Sequence, residues 1–358
     1  MEFTLEMGED RVEVKAGIIG AGIGRVHLEG YQAAGAEVVA LCDVNESRAR
    51  ETAEKYGVRK VYTDYKEMLK DAEINTISVC TPNSMHASMS IDALEAGKHV
   101  ICEKPLSVNA ADAQRIVDVA AKSDKKFMVA FCYRFREDAQ LMKKFVEGGE
   151  LGRIYYAKTA WLRRRGIPGF GGWFTTKELS GGGPLIDLGV HMLDLTLWLM
   201  GNPRAVSVSG SAYAEFGPYG RGAGGYGRDK NLGGKYDVED LAIGLIKLEN
   251  GATLHLEASW ATNIEKDGGH STLIGTEGGA CLNFAEGGFK LHKEMYGHQV
   301  DVLPVVKAGS GHKDEMAHFV KCIQEDKAPT ATGEQGLEIM RILDAIYESA
   351  ATGKEVML

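Results

Sequence analysis

A chain of 358 residues, 44% hydrophobic and 25% charged, is long enough for two domains with separate cores and ordinary in composition for a globular protein, so no disorder signature dominates it. Its 41 basic and 50 acidic side chains leave a net charge of −9, which argues against a general nucleic-acid surface, because phosphate affinity needs clustered cations. No run approaches the ~20 uninterrupted apolar residues that a membrane-spanning helix needs.

Residues 1–13, with Glu2, Glu6, Glu9 and Asp10, lack the basic and apolar regions of a signal peptide and read as a loose tail or an extra edge strand. From 14 to 43 the pattern is strand, glycine turn, helix, strand. Val14, Ala16, Ile18 and Ile19 are apolar; Gly20, Gly22, Ile23 and Gly24 make the turn; Val26, Leu28, Tyr31 and Ala34 recur at helical spacing. Such glycines let the main chain approach a ligand, and the helix they open aims unpaired N–H groups at a diphosphate. Asp43 ends the second strand 23 residues after Gly20, near the offset of about 20 at which a carboxylate accepts from an adenosine ribose hydroxyl. The third glycine stands one position early, where the usual fingerprint would place it at Arg25. Asp43 would repel a 2′-phosphate, which favours NAD; Arg48 leaves NADP open, although it also reads as a solvated residue at the next helix start.

The alternation continues with a helix over 46–56, a short strand near 61, a helical segment over 65–70 and an apolar strand over 74–80. A helix over 84–96, a strand over 99–102, a helix over 109–123 with Asn109 as its N-cap, and a strand over 127–131 follow. This grammar predicts a doubly wound parallel sheet whose loops at Gly20, Asp43, Thr81 and Glu103 meet on one edge. Residues 14–135 are expected to form this Rossmann domain and 136–358 a second, α+β domain. There, one helix over 138–147 precedes strands over 154–161, 205–213, 240–248, 252–261, 271–274, 280–284 and 289–292, implying a large, mostly antiparallel open sheet. Helices over 312–325 and 334–351 close the chain, the last expected to pack back toward the first domain, and the open sheet face suggests a homodimer or homotetramer. The stretch 216–236, rich in Gly and Tyr, is either a lid or an inert surface loop. Six cysteines without a CxxC pair read as reduced thiols of a cytoplasmic protein.

The second informative stretch runs over 180–201. Gly181, Gly182 and Gly183 precede Pro184 at a helix start, and Asp187 and His191, four apart, share a face there. A carboxylate beside an imidazole holds its tautomer, as a general base for an alcohol requires; the plainer alternative makes both residues helix-surface or packing groups, and Asp194 reads as structural. Lys104, following a strand on the ligand edge, suits stabilisation of a developing alkoxide, although an isolated lysine is more often a surface residue. Scattered histidines and the lack of paired cysteines argue against a zinc centre.

Taken together, Gly17-Ile-Ile-Gly-Ala-Gly-Ile-Gly-Arg-Val-His27, Thr81-Pro-Asn-Ser-Met-His86, Ala96-Gly-Lys-His-Val-Ile-Cys-Glu-Lys-Pro105, Tyr133-Arg-Phe135 and Gly181-Gly-Gly-Pro-Leu-Ile-Asp-Leu-Gly-Val-His191 resemble the Gfo/Idh/MocA oxidoreductases over about residues 14–350. The resemblance implies NAD- or NADP-dependent hydride transfer at one carbon of a sugar, inositol or sugar derivative. It implies Lys104 as catalytic lysine, His191 as acid/base and Asp187 as a holder of substrate hydroxyls. Thr81, Pro82, Asn83, His86, Glu103, Lys104 and Arg134 would line the cofactor site, and Lys104, Arg134, Trp161, Arg163, Asp187, His191 and Tyr236 the substrate side. Arg163, Arg164 and Arg165 either select the substrate's far end or form a solvated strand-end cluster. Alternatives on the same scaffold are a redox-neutral, NAD-dependent glycoside-processing enzyme, an aldose–aldose oxidoreductase with a non-dissociating cofactor, and a non-catalytic nucleotide sensor.

Overall fold

The computed structural model describes residues 12–224, 231, 233–306, 309 and 311–358. The expected tail therefore lies, up to residue 11, outside the described residues, as do 225–230 and 232 of the Gly/Tyr-rich stretch.

Six strands, β1 (Lys15–Ile19), β2 (Glu37–Cys42), β3 (Lys60–Tyr62), β4 (Thr76–Val79), β5 (His99–Glu103) and β6 (Phe127–Ala130), form a parallel sheet in the order β3-β2-β1-β4-β5-β6. Helices α1 (Gly24–Ala33), α2 (Glu46–Tyr56), α3 (Tyr65–Leu69), α4 (His86–Glu95) and α5 (Ala110–Ala120) connect them. All four residues of β4 are buried, as expected of a central strand covered on both faces. The Asn109 side chain accepts from the Asp112 amide at 2.8 Å, so the expected cap opens α5. Strand order reverses between β1 and β4, and a crevice opens beyond their carboxyl ends.

The second lobe begins with α6 (Glu137–Glu147) and β7 (Ile154–Leu162), followed by the single turn α7 (Lys177–Ser180) and α8 (Val190–Leu199). Strands β8 (Ala205–Tyr213), β9 (Leu241–Leu248), β10 (Thr253–Ser259), β11 (Gly268–Gly275), β12 (Gly278–Asn283), β13 (Phe289–Met295) and β14 (His298–Val302) come next. Helices α9 (His312–Gln324) and α10 (Gly333–Thr352) and strand β15 (Val356–Met357) end the chain. The nine-stranded sheet runs β14-β13-β12-β11-β7-β10-β9-β8-β15, antiparallel except where β10 lies parallel to β7.

Two edge strands were not expected. In β14, His298 and Gln299 are polar and exposed, and β15 is two residues that exist as a strand only by pairing with β8. Every residue of α8 from Met192 to Leu199 is buried, so this helix forms the centre of the second lobe rather than a surface.

Both C-terminal helices return to the first lobe. The Ala110 amide at the start of α5 donates to Asp344 Oδ2 of α10 at 2.7 Å. A Cβ on Gly30 of α1 would meet Met316 of α9 at 2.5 Å, so that helix pair packs through a missing side chain.

Candidate active site

The crevice between the lobes is a cleft of about 620 Å³ whose walls include Gly20, Asp43, Thr81 and Glu103, the four loop positions expected on one edge. Each turn glycine has a separate reason. Gly20 has φ +100°, and a Cβ there would stand 2.2 Å from the Cys80 carbonyl oxygen; at Gly24 it would strike Ile18 at 2.6 Å. A Cβ on Gly22 would meet nothing within 4 Å, so this glycine opens the cleft wall to close approach by a ligand. The early third glycine still closes α1 onto β1, the packing role that the usual spacing serves. No side chain caps the N-terminus of α1, leaving its first amides for a diphosphate.

Asp43 closes the other end of this sub-site. Its Oδ2 accepts from the Ala21 amide at 2.9 Å and its Oδ1 from the Asn45 amide at 2.8 Å, while Arg48 grips both oxygens at 3.1 and 2.7 Å. Burial works to raise the Asp43 pKa, but the Arg48 bonds and the two amides outweigh it and hold the carboxyl below its ordinary range. It is therefore an ionised acceptor fixed at this end of the cleft.

At the opposite end, Lys104, Asp187 and His191 line the same cleft. Lys104 follows β5; its Nζ donates to Asp187 Oδ1 at 3.1 Å and to the Asp187 backbone oxygen at 3.0 Å. Trp260 Nε1 donates to Asp187 Oδ2 at 2.9 Å. Burial opposes ionisation of Asp187, but the Lys104 and Arg163 charges and these bonds leave its pKa lowered. The expected Asp187–His191 hydrogen bond is absent: Asp187 is engaged by Lys104 and Trp260, and His191 Nδ1 is buried without a hydrogen-bond partner. Residues Leu185–Gly189 wind as a π-helix before α8, and this wider turn changes the angular offset between positions 187 and 191. Burial first, then the charges of Lys104, His312 and Arg163, push the His191 pKa well below its ordinary value, so its imidazole is neutral.

The glycine run ahead of this helix has a packing cause as well. A Cβ on Gly182 would lie 1.9 Å from the Tyr347 hydroxyl, and one on Gly183 would lie 2.1 Å from the Glu239 carbonyl oxygen. Glu239 then takes the Gly183 and Leu185 amides at 2.9 and 3.1 Å, capping the π-turn with a buried carboxylate.

Glu103 works from behind the wall. Its Oε2 accepts from the Lys104 amide at 3.0 Å and its Oε1 pairs with His27 Nε2 at 3.0 Å. Beyond His27 the network continues through Ser78 Oγ to Tyr31, at 3.1 and 3.0 Å. Burial raises the Glu103 pKa, but the His27 bond and charge, with Lys104, bring it down to about 2. Asn83 Nδ2 donates to the Ser180 carbonyl at 2.7 Å and ties the lobes together beside the cleft.

The structure brings Gly20, Gly22, Ile23, Asp43, Arg48, Thr81, Pro82, Asn83, Glu103, Lys104, Asp187 and His191 to the cleft, but not every expected residue. Arg134 is turned into the core, where it binds Asp194 at 2.9 Å, the Thr330 carbonyl at 2.7 Å and Gln335 Oε1 at 2.6 Å. Asp194 is thus its buried counterion, in keeping with a structural reading. His86 sits under the wall, bonded to the Pro105 and Thr81 carbonyls at 2.7 and 2.9 Å, and Gly24 faces Ile18. Trp161 stands behind Tyr133 and His191, with ring centroids 5.7 and 6.1 Å away. Tyr236 lies against Phe170 and Gly217 in a second small core. Arg163 is 9% exposed and bonds the Gly166 carbonyl at 3.2 Å; Arg164 and Arg165 bind the loop carrying Asp267, Thr262 and Asn263. Lining residues that sequence reasoning missed include Trp173, Phe174 and His312. The aromatic pair stands just before α7, ahead of the glycine run, but His312 has no local signal, being placed by the packing of α9 on the first lobe.

Residues 14–131 match the oxidoreductase family of NAD-binding Rossmann fold known as Gfo/Idh/MocA, and residues 143–358 match its C-terminal α/β domain. The chain belongs to the Gfo/Idh/MocA oxidoreductases. This member is 36% identical over 350 residues to the D-glucoside 3-dehydrogenase of Escherichia coli K12, covering 96% of this chain and 97% of that one. It is 28% identical to the levoglucosan dehydrogenase of Pseudarthrobacter phenanthrenivorans, covering 94% and 96% of the two chains. Among solved structures, a levoglucosan dehydrogenase complex with NADH and levoglucosan superposes with a TM-score of 0.86 at 26% identity, covering 96% and 99% of the two chains. The first domain of this chain is of the NAD-binding Rossmann kind, and the open wall at Gly22, the uncapped α1 and the ionised Asp43 fit a dinucleotide chemically. No helix among the described residues is long and apolar enough to cross a membrane.

Proposed function

We infer that this protein is an NAD-dependent dehydrogenase that oxidises a secondary hydroxyl of a sugar or sugar derivative, C3 of a glucoside being the first candidate from its 36% identical relative. One observation carries the reading: Lys104 of the first lobe and Asp187 and His191 of the second meet in the cleft that contains the dinucleotide sub-site. Gly22, the α1 amides and Asp43 would hold NAD, which would supply the hydride acceptor.

The chain's own groups manage the oxygen and its proton. The Lys104 ammonium donates to the reacting oxygen and stabilises negative charge developing there. His191, neutral at pH 7, accepts the hydroxyl proton as the carbonyl forms, and returns it in the reverse direction. Asp187 aims Lys104 through two contacts and is itself fixed by Trp260, with its remaining acceptor capacity left for neighbouring sugar hydroxyls. Glu103 holds the Lys104 main chain from the other side.

Residues 14–135 and 136–358 serve as nucleotide and substrate domains in this reading. Tyr155, Tyr213 and Leu245, exposed on the nine-stranded sheet, support association of copies through its open face, and six free cysteines support a reducing, cytoplasmic setting. The test is NADH absorbance with glucosides, 1,5-anhydrosugars, free aldoses and inositols, together with product analysis. Stoichiometric NADH and a keto-sugar are expected; glycoside cleavage without net NADH would select the redox-neutral alternative. Light scattering reports the assembly state, and a monomer would remove the sheet-face association.

A further inference from the structure

Trp173 and Phe174 line the cleft, and neither has a role in the chemistry above. Their rings stack with centroids 3.8 Å apart at 27°. Phe174 meets the buried Trp260 edge-on at 6.5 Å, and Trp260 donates to Asp187. An aromatic series therefore leads outward from the catalytic carboxylate to the cleft wall. It is anchored: Gly171 has φ +76°, and a Cβ there would lie 2.0 Å from the Asn231 carbonyl oxygen. Thr175 Oγ1 accepts from the Gly171 amide at 3.0 Å and donates to the Lys235 carbonyl at 2.8 Å.

The charges of the cleft complete the argument. Among its described lining residues the arginine and lysine cations are Arg48 and Lys104, and each is paired with a carboxylate, Asp43 or Asp187. Burial lowers the pKa values of His191 and His312, which leaves both imidazoles neutral at pH 7. Among these described residues a carboxylate or phosphate on the far end of a substrate would find no uncommitted arginine or lysine. A ring's apolar face would find an outer face of the stacked Trp173–Phe174 pair already in place.

We propose that Trp173 and Phe174 form a preformed shelf for the aglycone of a neutral glycoside, so that the substrate is a sugar bearing an apolar or aromatic substituent rather than a free, acidic or phosphorylated sugar. This deepens the sugar-dehydrogenase reading and rests on it. The shelf holds the substituent while the sugar ring lies toward Lys104 and His191. Its energy comes from offset stacking and C–H contacts, which need area and orientation but no charge.

The test compares glucose, methyl glucoside, phenyl glucoside and phenyl glucuronide on the full chain loaded with NAD, using wild type, Trp173→Ala and Trp173→Phe. Two readings are taken: sugar affinity by calorimetry and kcat/KM by NADH absorbance. Wild type should prefer phenyl glucoside to glucose and discriminate against the glucuronide. Trp173→Ala should lower the phenyl glucoside to glucose ratio about tenfold in both readings, and Trp173→Phe should restore most of it. Equal losses on glucose and phenyl glucoside, or a glucuronide bound as well as the glucoside, would overturn the shelf. If the affinity ratio shifts as expected but no sugar yields NADH, the shelf stands and the dehydrogenase reading fails.

Discussion

Lys104 and Asp187 lie 83 residues apart in sequence and join across the cleft, Nζ to Oδ1 at 3.1 Å, with each side chain 17% exposed. An ion pair so enclosed loses little to solvent screening, and either member alone leaves a charge without its partner. Lys104→Met is therefore expected to lower kcat by about 10²–10³-fold, the usual cost of losing one donor to a developing oxyanion. Titration of NAD by protein fluorescence should show binding retained, because the dinucleotide sub-site is built from other residues. Wild-type turnover in the variant would remove Lys104 from the reaction.

In the proposed mechanism His191 is the base, and it sets the pH behaviour expected of sugar oxidation. Its pKa lies well below 6.5, through burial first and then the charges of Lys104, His312 and Arg163. A base must be unprotonated to act, so kcat/KM for oxidation should stay level as pH falls through 6.5 and decline only at lower pH. His191→Asn should lose most activity and with it that acid limb. A wild-type limb centred at 6.5 or above would contradict a depressed imidazole.

The glycine turn and Asp43 were legible because they fall at fixed offsets within one strand–turn–helix–strand unit. Gly20, Gly22 and Asp43 reach the cleft wall, where Gly20 faces the Cys80 carbonyl, Gly22 open space and Asp43 the Ala21 amide, while Gly24 packs on Ile18. The catalytic end was legible in part. Asp187 and His191 both reach the cleft, yet the expected bond between them is replaced by Lys104 and Trp260, residues brought in by the other lobe and by the end of β10. The run Gly181 to Gly183 reads as room for a substrate, whereas Tyr347 and Glu239 occupy the space that side chains there would need. Arg134 looked like a ligand residue because nothing near it in sequence names Asp194 and Gln335 as its partners.

In the proposed reading, cofactor choice rests on one carboxylate. Asp43 is ionised and gripped by Arg48, half of whose side chain is exposed at the adenosine end. Asp43→Ala removes both the acceptor for ribose hydroxyls and the repulsion of a 2′-phosphate, and leaves Arg48 to pair with that phosphate. A charged hydrogen bond contributes about 1.5–3 kcal/mol, so kcat/KM should fall at least tenfold with NAD and rise with NADP. Unchanged preference would take Asp43 out of ribose recognition.

Glu103 links the active site to acid stability. Its folded pKa of about 2 is below the ordinary 4.5, so the native state binds fewer protons than the unfolded chain between those values. The stabilisation is complete above pH 4.5 and is lost as pH falls toward about 2. Glu103→Gln, which removes the carboxylate bonded to His27 and the Lys104 amide, should cost about 3 kcal/mol at pH 7 by urea unfolding. The gap from wild type should narrow below pH 4.5; a gap independent of pH would mean that packing, not charge, is lost.

Glu315 carries the opposite sign. It is fully buried on α9, neither carboxyl oxygen has a hydrogen-bond partner, and the nearest ring nitrogen, His312 Nδ1, is 3.8 Å away. Burial first, then the charge of Glu103, raises its pKa well above 4.5, so the native state keeps a proton that the unfolded chain has released. Its contribution is fully present below 4.5 and is lost as pH rises toward and through the folded value. Glu315→Gln matches the protonated acid in shape and does not titrate. Its melting temperature should equal that of wild type near pH 4.5 and exceed it by a growing margin as pH rises. A margin that stays constant or reverses would show that Glu315 is ionised in the folded protein.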